Sequence, residues 1–183
     1  FEITPYNDPL LRTRKRRLEL AVRLWKARML RCVSVCKAGA AFFCVVKKVD
    51  ETGKVVLRLI TDLRKVNSAF KPPPWVPLSG PGALCGMDLG EPTKSGWKLA
   101  GASGDAPDFY YTLSVPEWVS TFLCVDGVTP AELREALLAE GYKGPLPDAD
   151  AKFLALGVLA MGWSWAVWCA QMVILSVLLG PLK

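Results

Sequence analysis

The stretch Ala40-Ala-Phe-Phe-Cys44-Val-Val-Lys47-Lys48-Val-Asp50-Glu-Thr-Gly53-Lys-Val-Val-Leu-Arg58-Leu-Ile-Thr61 decides the architecture. Residues 40–48 are apolar, β-branched and aromatic, and residues 55–61 repeat that character. Asp50-Glu51-Thr52-Gly53 between them is a turn signal. Two such runs joined by a short polar turn predict an antiparallel hairpin. Lys47 and Lys48 lie near its closing end and Arg58 on the returning strand, so the hairpin carries clustered cations.

Working outward toward the N-terminus, Asp8-Pro9 is a helix-start signal. The apolar positions Leu18, Ala21, Val22, Trp25 and Met29 recur at three- and four-residue spacing, which predicts one amphipathic helix. Its other face carries Arg12, Arg14, Lys15, Arg16, Arg17, Arg23, Lys26 and Arg28. That face suits either plain solvation or contact with a phosphate backbone.

Toward the C-terminus, Lys71-Pro-Pro-Pro74, Pro77 and Ser79-Gly-Pro-Gly82 break regular structure. Residues 83–104 read as a short strand or helix followed by a Gly-rich loop, with a strand around 97–102 leading into Asp105. Residues 112–124 read as a helix or turn, with a strand at 121–125. Thr129-Pro130-Ala131-Glu132 combines an N-cap, a proline at the first helical position and a glutamate two residues after that proline, predicting a helix to Glu140 stopped by Gly141. Residues 144–150 read as a loop.

Residues 153–179 carry no charge, and their length and composition meet the criterion for a membrane-spanning helix. Trp163, Trp165 and Trp168 sit in mid-segment, not at two interfaces. Gly157 and Gly162 also divide the tract into a strand-like half, 154–160, and a helical half, 164–179. Both readings stand at this level.

The whole chain has 183 residues and a formal net charge of +6. That length allows one domain, or one and a half subdomains of something larger. The first residue is Phe1 and no secretory signal pattern opens the chain, which predicts a fragment, a processed product or a trimmed chain. The basic balance favours a polyanionic partner. Absence of histidine excludes His-based triads, His-containing zinc sites and imidazole acid–base catalysis. The six cysteines include no Cys-x-x-Cys pair, so buried reduced thiols are expected rather than a zinc site.

The stretch Asp105-Ala-Pro-Asp108-Phe-Tyr110 is the strongest chemical candidate. Phosphoryl transfer to a 3′-hydroxyl commonly uses two metal ions about 4 Å apart, held by carboxylates. Asp105 suits one such ligand, while Asp108, three residues further along a strand, would point to the opposite face. Arg58, Lys47 and Lys48 suit a triphosphate clamp, arginine through its fork and lysine as a point charge. Asp62 and Arg64, two apart on one strand face, suit an internal ion pair that shapes the site. Tyr110 would set a ring beside the sugar. Each also has a plain structural reading as a loop aspartate, a strand cation or a half-buried aromatic.

In order and spacing these motifs resemble the retroelement reverse transcriptases over nearly the whole chain. Phe42-Phe-Cys-Val-Val-Lys47-Lys48 with Arg58-Leu-Ile-Thr-Asp62-Leu-Arg64-Lys-Val-Asn67 looks like that family's fingers hairpin, and Phe70-Lys-Pro-Pro-Pro74 like the crossover after it. Asp105-Ala-Pro-Asp108-Phe-Tyr110 looks like the first palm motif. Leu159-Ala-Met161-Gly162-Trp163-Ser164, with Gln171 beyond, is similar to the next.

The resemblance implies an α+β chain, with a fingers hairpin and N-terminal helix in residues 1–82 and a partial palm in 83–183. Within the palm it implies a first motif at 105–125, a helical insertion at 126–150 and an apolar Gly-containing motif with its helix at 153–183. It implies that Arg58 and Lys47 or Lys48 contact deoxynucleotide phosphates, and that Asp105 is a catalytic ligand to Mg²⁺. Tyr110 would be the sugar gate, and Gly162 with Gln171 would support a template–primer. The implied activity is RNA-directed DNA polymerase, a nucleotidyltransferase, in the nucleus or cytoplasm. The family's Tyr-x-Asp-Asp hairpin is not reached by Lys183, so this chain is expected to be catalytically incomplete. Where the family often has glutamine, this chain has Met161. The competing expectation is a non-enzymatic subunit of a larger intracellular or organellar membrane complex, in contact with lipids and protein subunits and anchored by residues 153–179.

Overall fold

A computed structural model of the chain describes residues 3–76, 78 and 104–180. The anticipated strand at 97–102 and the element at 83–103 lie outside the described residues. Among those described, the chain is α+β, with a five-stranded mixed sheet in the order β1-β5-β4-β2-β3 and six α-helices.

The hairpin forms where its sequence predicts. Strands β2 (Gly39–Val49) and β3 (Val55–Asp62) pair antiparallel, from Ala41 opposite Asp62 to Val49 opposite Val55. The Asp50 side chain organises the turn by accepting from the Thr52 and Lys54 backbone N–H groups at 3.0 and 2.9 Å. Ala41 and Phe42 are buried, whereas residues 44–49 are exposed. The base of the hairpin is thus core and its tip projects.

The helix expected from Asp8 begins later. Asp8 caps a single 3₁₀ turn, Pro9–Arg12, and Thr13 caps helix α1 (Arg14–Lys26). The chain leaves α1 through Arg28, at φ 59°, and so Met29 is buried beyond the helix instead of on it. Strand β1 (Leu30–Val33) follows, an element the sequence did not announce. It pairs antiparallel with β5 (Phe153–Leu156), Leu30 opposite Leu156. Strand β4 (Cys124–Val125) is only two residues long, shorter than the expected 121–125. It runs parallel to β2 and antiparallel to β5.

Short helices α2 (Arg64–Asn67), α3 (Phe109–Thr112) and α4 (Glu117–Ser120) link the strands. Helix α5 (Pro130–Ala139) has the reciprocal capping box of Thr129 and Glu132, and Gly141 follows its end at φ 69°. It packs on α1, where Arg14 pairs with Glu132 and Lys26 with Glu140.

Residues 153–179 do not form one helix. They divide into β5, a turn at Gly162 and helix α6 (Ala166–Leu179). Fourteen residues of helix extend about 21 Å, against a hydrocarbon core of about 30 Å. No helix among the described residues is long and apolar enough to cross a membrane. Of the mid-segment tryptophans, Trp163 belongs to the core and Trp165 packs against it. Trp163 is buried edge-on to Phe70, and the Trp165 indole N–H donates to the Lys71 carbonyl at 2.7 Å.

One apolar core runs through both halves of the chain. It joins Ala21 and Leu24 of α1, Phe42 of β2, Leu63, Leu123, Leu133 and Leu137, Leu154 and Leu156 of β5, and Ala170 of α6. Each fully buried leucine here contributes about 1.5–3 kcal/mol. The five described cysteines are free thiols, but only Cys124 is buried and Cys44 is exposed.

Candidate functional site

Six residues of the hairpin and of the 105–111 segment explain how the candidate site is built. Lys47 and Arg58 come from β2 and β3, and Asp105, Asp108, Tyr110 and Tyr111 come from the opposing segment. Together with Met161 they line one cleft of about 580 Å³. Residues separated by more than a hundred positions, Lys47 and Met161, therefore line the same cleft.

A bulge in the hairpin presents the cations. The ladder pairs Val46 with Leu57 and then Lys48 with Val56, leaving Lys47 as the extra residue. Two residues opposing one re-aim the side chains locally. Lys47 lines the cleft and Lys48 does not. Arg58 faces the cleft from the partner strand and is exposed.

The opposing wall is a turn, not a strand. Residues 104–106 are irregular, Pro107 and Asp108 form a turn, and α3 begins at Phe109. Asp108 sits left-handed at φ 51°, one of the few non-glycine types that tolerate it. The expectation that Asp108 points away from Asp105 fails for this reason: strand alternation does not operate here, and both carboxylates line the cleft. Both are exposed, while Tyr110 is half-buried on α3.

Tyr111, unremarked in the sequence, ties the two walls together. Its hydroxyl donates to the Leu59 carbonyl of β3 at 2.8 Å. Burial raises the phenol's pKa, and the nearby Asp108 carboxylate adds to the effect, so the hydroxyl keeps its donor proton.

Gly162 stands at the edge of this arrangement, beside the cleft residue Met161. A β-carbon at Gly162 would fall 2.2 Å from the Thr61 carbonyl oxygen, and its φ is +116°. The Thr61 backbone N–H donates to the Met161 carbonyl at 3.2 Å, and the Thr61 hydroxyl donates to the same oxygen. Asn67 closes the clamp. Its amide nitrogen donates to the Gly162 carbonyl at 3.0 Å, and its amide oxygen accepts from the Ser164 N–H at 2.9 Å. Asn67 ends the basic run that begins at Arg58, but nothing in that run identifies its partner.

Asp62 and Arg64 form an ion pair at the end of β3, although Arg64 is the first residue of α2 and not a strand neighbour. The Arg64 Nη2 and Nε reach the carboxylate at 2.6–3.1 Å. The Tyr6 backbone N–H adds a bond to Asp62 Oδ2 at 2.8 Å. The Arg64 guanidinium is the main reason the Asp62 carboxyl is held far below the usual carboxylate range; its burial works the other way. Gln171 is half-buried on α6. Lys48, Asp62, Arg64, Gly162 and Gln171 are not among the cleft-lining residues.

Among the described residues, no group of three or more cysteine, aspartate or glutamate side chains is placed to hold a metal ion. The cleft can offer two cations to phosphate oxygens, two carboxylates and an aromatic ring to one bound molecule. Comparison of the chain with protein-family models and with curated proteins gives no match.

Proposed function

We propose that this chain is the fingers and leading palm portion of a reverse transcriptase-like RNA-directed DNA polymerase, and that its cleft binds a deoxynucleoside triphosphate. One observation carries the reading: Lys47 and Arg58 of the hairpin share a single cleft with Asp105 and Tyr110. Cations for the triphosphate, a carboxylate and a ring for the sugar are the parts such a site needs. Arg58 and Lys47 hold the phosphates, and Tyr110 packs on the sugar where a 2′-hydroxyl would collide.

Mg²⁺ is commonly bound by one or two carboxylates together with substrate phosphates. The exposed Asp105 with Asp108 fits a single ion carried in on the triphosphate. The same donor set does not fit a two-metal site, which needs further carboxylates. The chain itself therefore binds nucleotide without extending a primer, and Gly162 and Gln171 act as support for the template–primer.

The test is equilibrium binding of a fluorescent deoxynucleoside triphosphate with Mg²⁺. Arg58→Ala is expected to weaken binding about tenfold or more, because charge-assisted phosphate contacts are worth about 1.5–3 kcal/mol. Tyr110→Ala is expected to narrow the preference for deoxy- over ribonucleotide. Equal affinity of Arg58→Ala and the unaltered chain would remove the nucleotide reading.

A further inference from the structure

A second concave surface lies where the 3₁₀ turn and the start of α1 meet the β4–α5 connection and the start of β5. It is a groove of about 530 Å³ that shares no lining residue with the nucleotide cleft. Its cations differ in what they are already doing. Arg14 is spent on Glu132, and the Arg17 Nε donates to the Leu11 carbonyl at 2.6 Å while the side chain packs on Gly127. Arg12 and Lys152 are exposed and make no ion pair among the described residues.

Phe153, the first residue of β5 and the chain neighbour of Lys152, lines the same groove. Its backbone is fixed by pairing opposite Val33, yet 39% of its surface stays exposed in the groove. A partly exposed aromatic side chain on a paired strand, in one groove with unpaired cations, has a specific use. Single-stranded nucleic acids are bound by stacking bases on such rings while cations track the phosphates. A duplex offers no free base face, and a lipid surface has no use for one ring set in a concave groove.

We propose that this groove binds single-stranded nucleic acid, with Phe153 as the stacking platform and Arg12 and Lys152 as the phosphate contacts. DNA and RNA strands share this chemistry. The groove acts independently of the nucleotide cleft, so an oligonucleotide binds with neither nucleotide nor Mg²⁺ present.

The experiment is fluorescence anisotropy with labelled oligo-dT and oligo-rU in Mg²⁺-free buffer, from about 50 to 200 mM salt. Replacing both Arg12 and Lys152 by alanine is expected to reduce the slope of log K against log salt by about 1.4, about 0.7 for each lost contact on a single strand. Phe153→Ala is expected to weaken binding about fivefold or more at every salt concentration without altering that slope. Phe153→Tyr retains binding, and Phe153→Leu, which keeps an apolar side chain on the strand, reproduces the loss if the alanine variant melts early. Unchanged affinity in Phe153→Leu, or an unchanged salt slope in the double variant, would overturn the proposal. So would binding to phosphatidylserine vesicles with no binding to either oligonucleotide. A preference for dT over rU, or the reverse, identifies which strand the groove takes.

Discussion

Gly162 is held where no side chain fits, pressed against the Thr61 carbonyl in a left-handed conformation. Gly162→Ala meets both obstacles together and is expected to cost at least about 2 kcal/mol, read as a lower urea midpoint with unchanged slope. A midpoint equal to the unaltered chain's would mean the turn can relax away from β3. Asp62 gives a pH dependence of known sign. Its folded-state carboxyl is depressed from 3.8, so its contribution is fully present above about pH 4 and declines as pH falls below that value. Asp62→Asn should flatten this acid limb in denaturation curves taken between about pH 5 and 2; an unaltered limb would assign it to other carboxylates. The Asp62–Arg64 pairing follows from opposite charge and closeness in sequence, but not from a shared strand face, since Arg64 opens α2. The position of Asp108 was not legible, because the sequence does not reveal that residues 104–108 are irregular and turn instead of strand.

At the level of elements, legibility followed local chemistry. The hairpin announced itself through two apolar runs and an Asx-type turn, and α5 through Thr129 and Glu132. Thr129→Ala removes the side-chain acceptor for the Glu132 N–H, which stands 3.3 Å away. It should cost about 1 kcal/mol of stability, measured by thermal or urea unfolding. Strand β1 escaped notice because four residues with buried ends and half-buried centres display no alternation, and their partner lies far along the chain. The Lys47 bulge was equally hidden, since register depends on pairing geometry and not on composition. The Tyr111 link between α3 and β3 also depends on tertiary contact. Tyr111→Phe is expected to lower stability by about 1 kcal/mol and to weaken nucleotide binding, since the two cleft walls lose their shared hydrogen bond. Binding undiminished in a variant that is less stable would confine Tyr111 to a packing role.

For the molecule as a whole, the apolar tract at 153–179 was legible as strand plus helix, but hydropathy alone could not choose that over a membrane span. What decides is partnership: β5 is buried between β1 and β4, and α6 begins beneath Trp163. Because one core joins α1, the hairpin base, α5 and α6, unfolding should be a single transition, with tryptophan fluorescence and far-ultraviolet dichroism coinciding. Two separated transitions would mean the halves hold independent cores. The sheet order also imposes a timetable on a growing chain. The β2–β3 hairpin closes locally, within about 1–10 μs once both strands exist. Strand β1, although made earlier, pairs among the described residues only with β5, whose residues are synthesised more than a hundred positions later. Until then the oldest strand waits with an open edge, the state most exposed to pairing with another chain. The price of placing β5 between β1 and β4 is thus a ribosome-bound interval in which the protein depends on its neighbours to leave that edge alone.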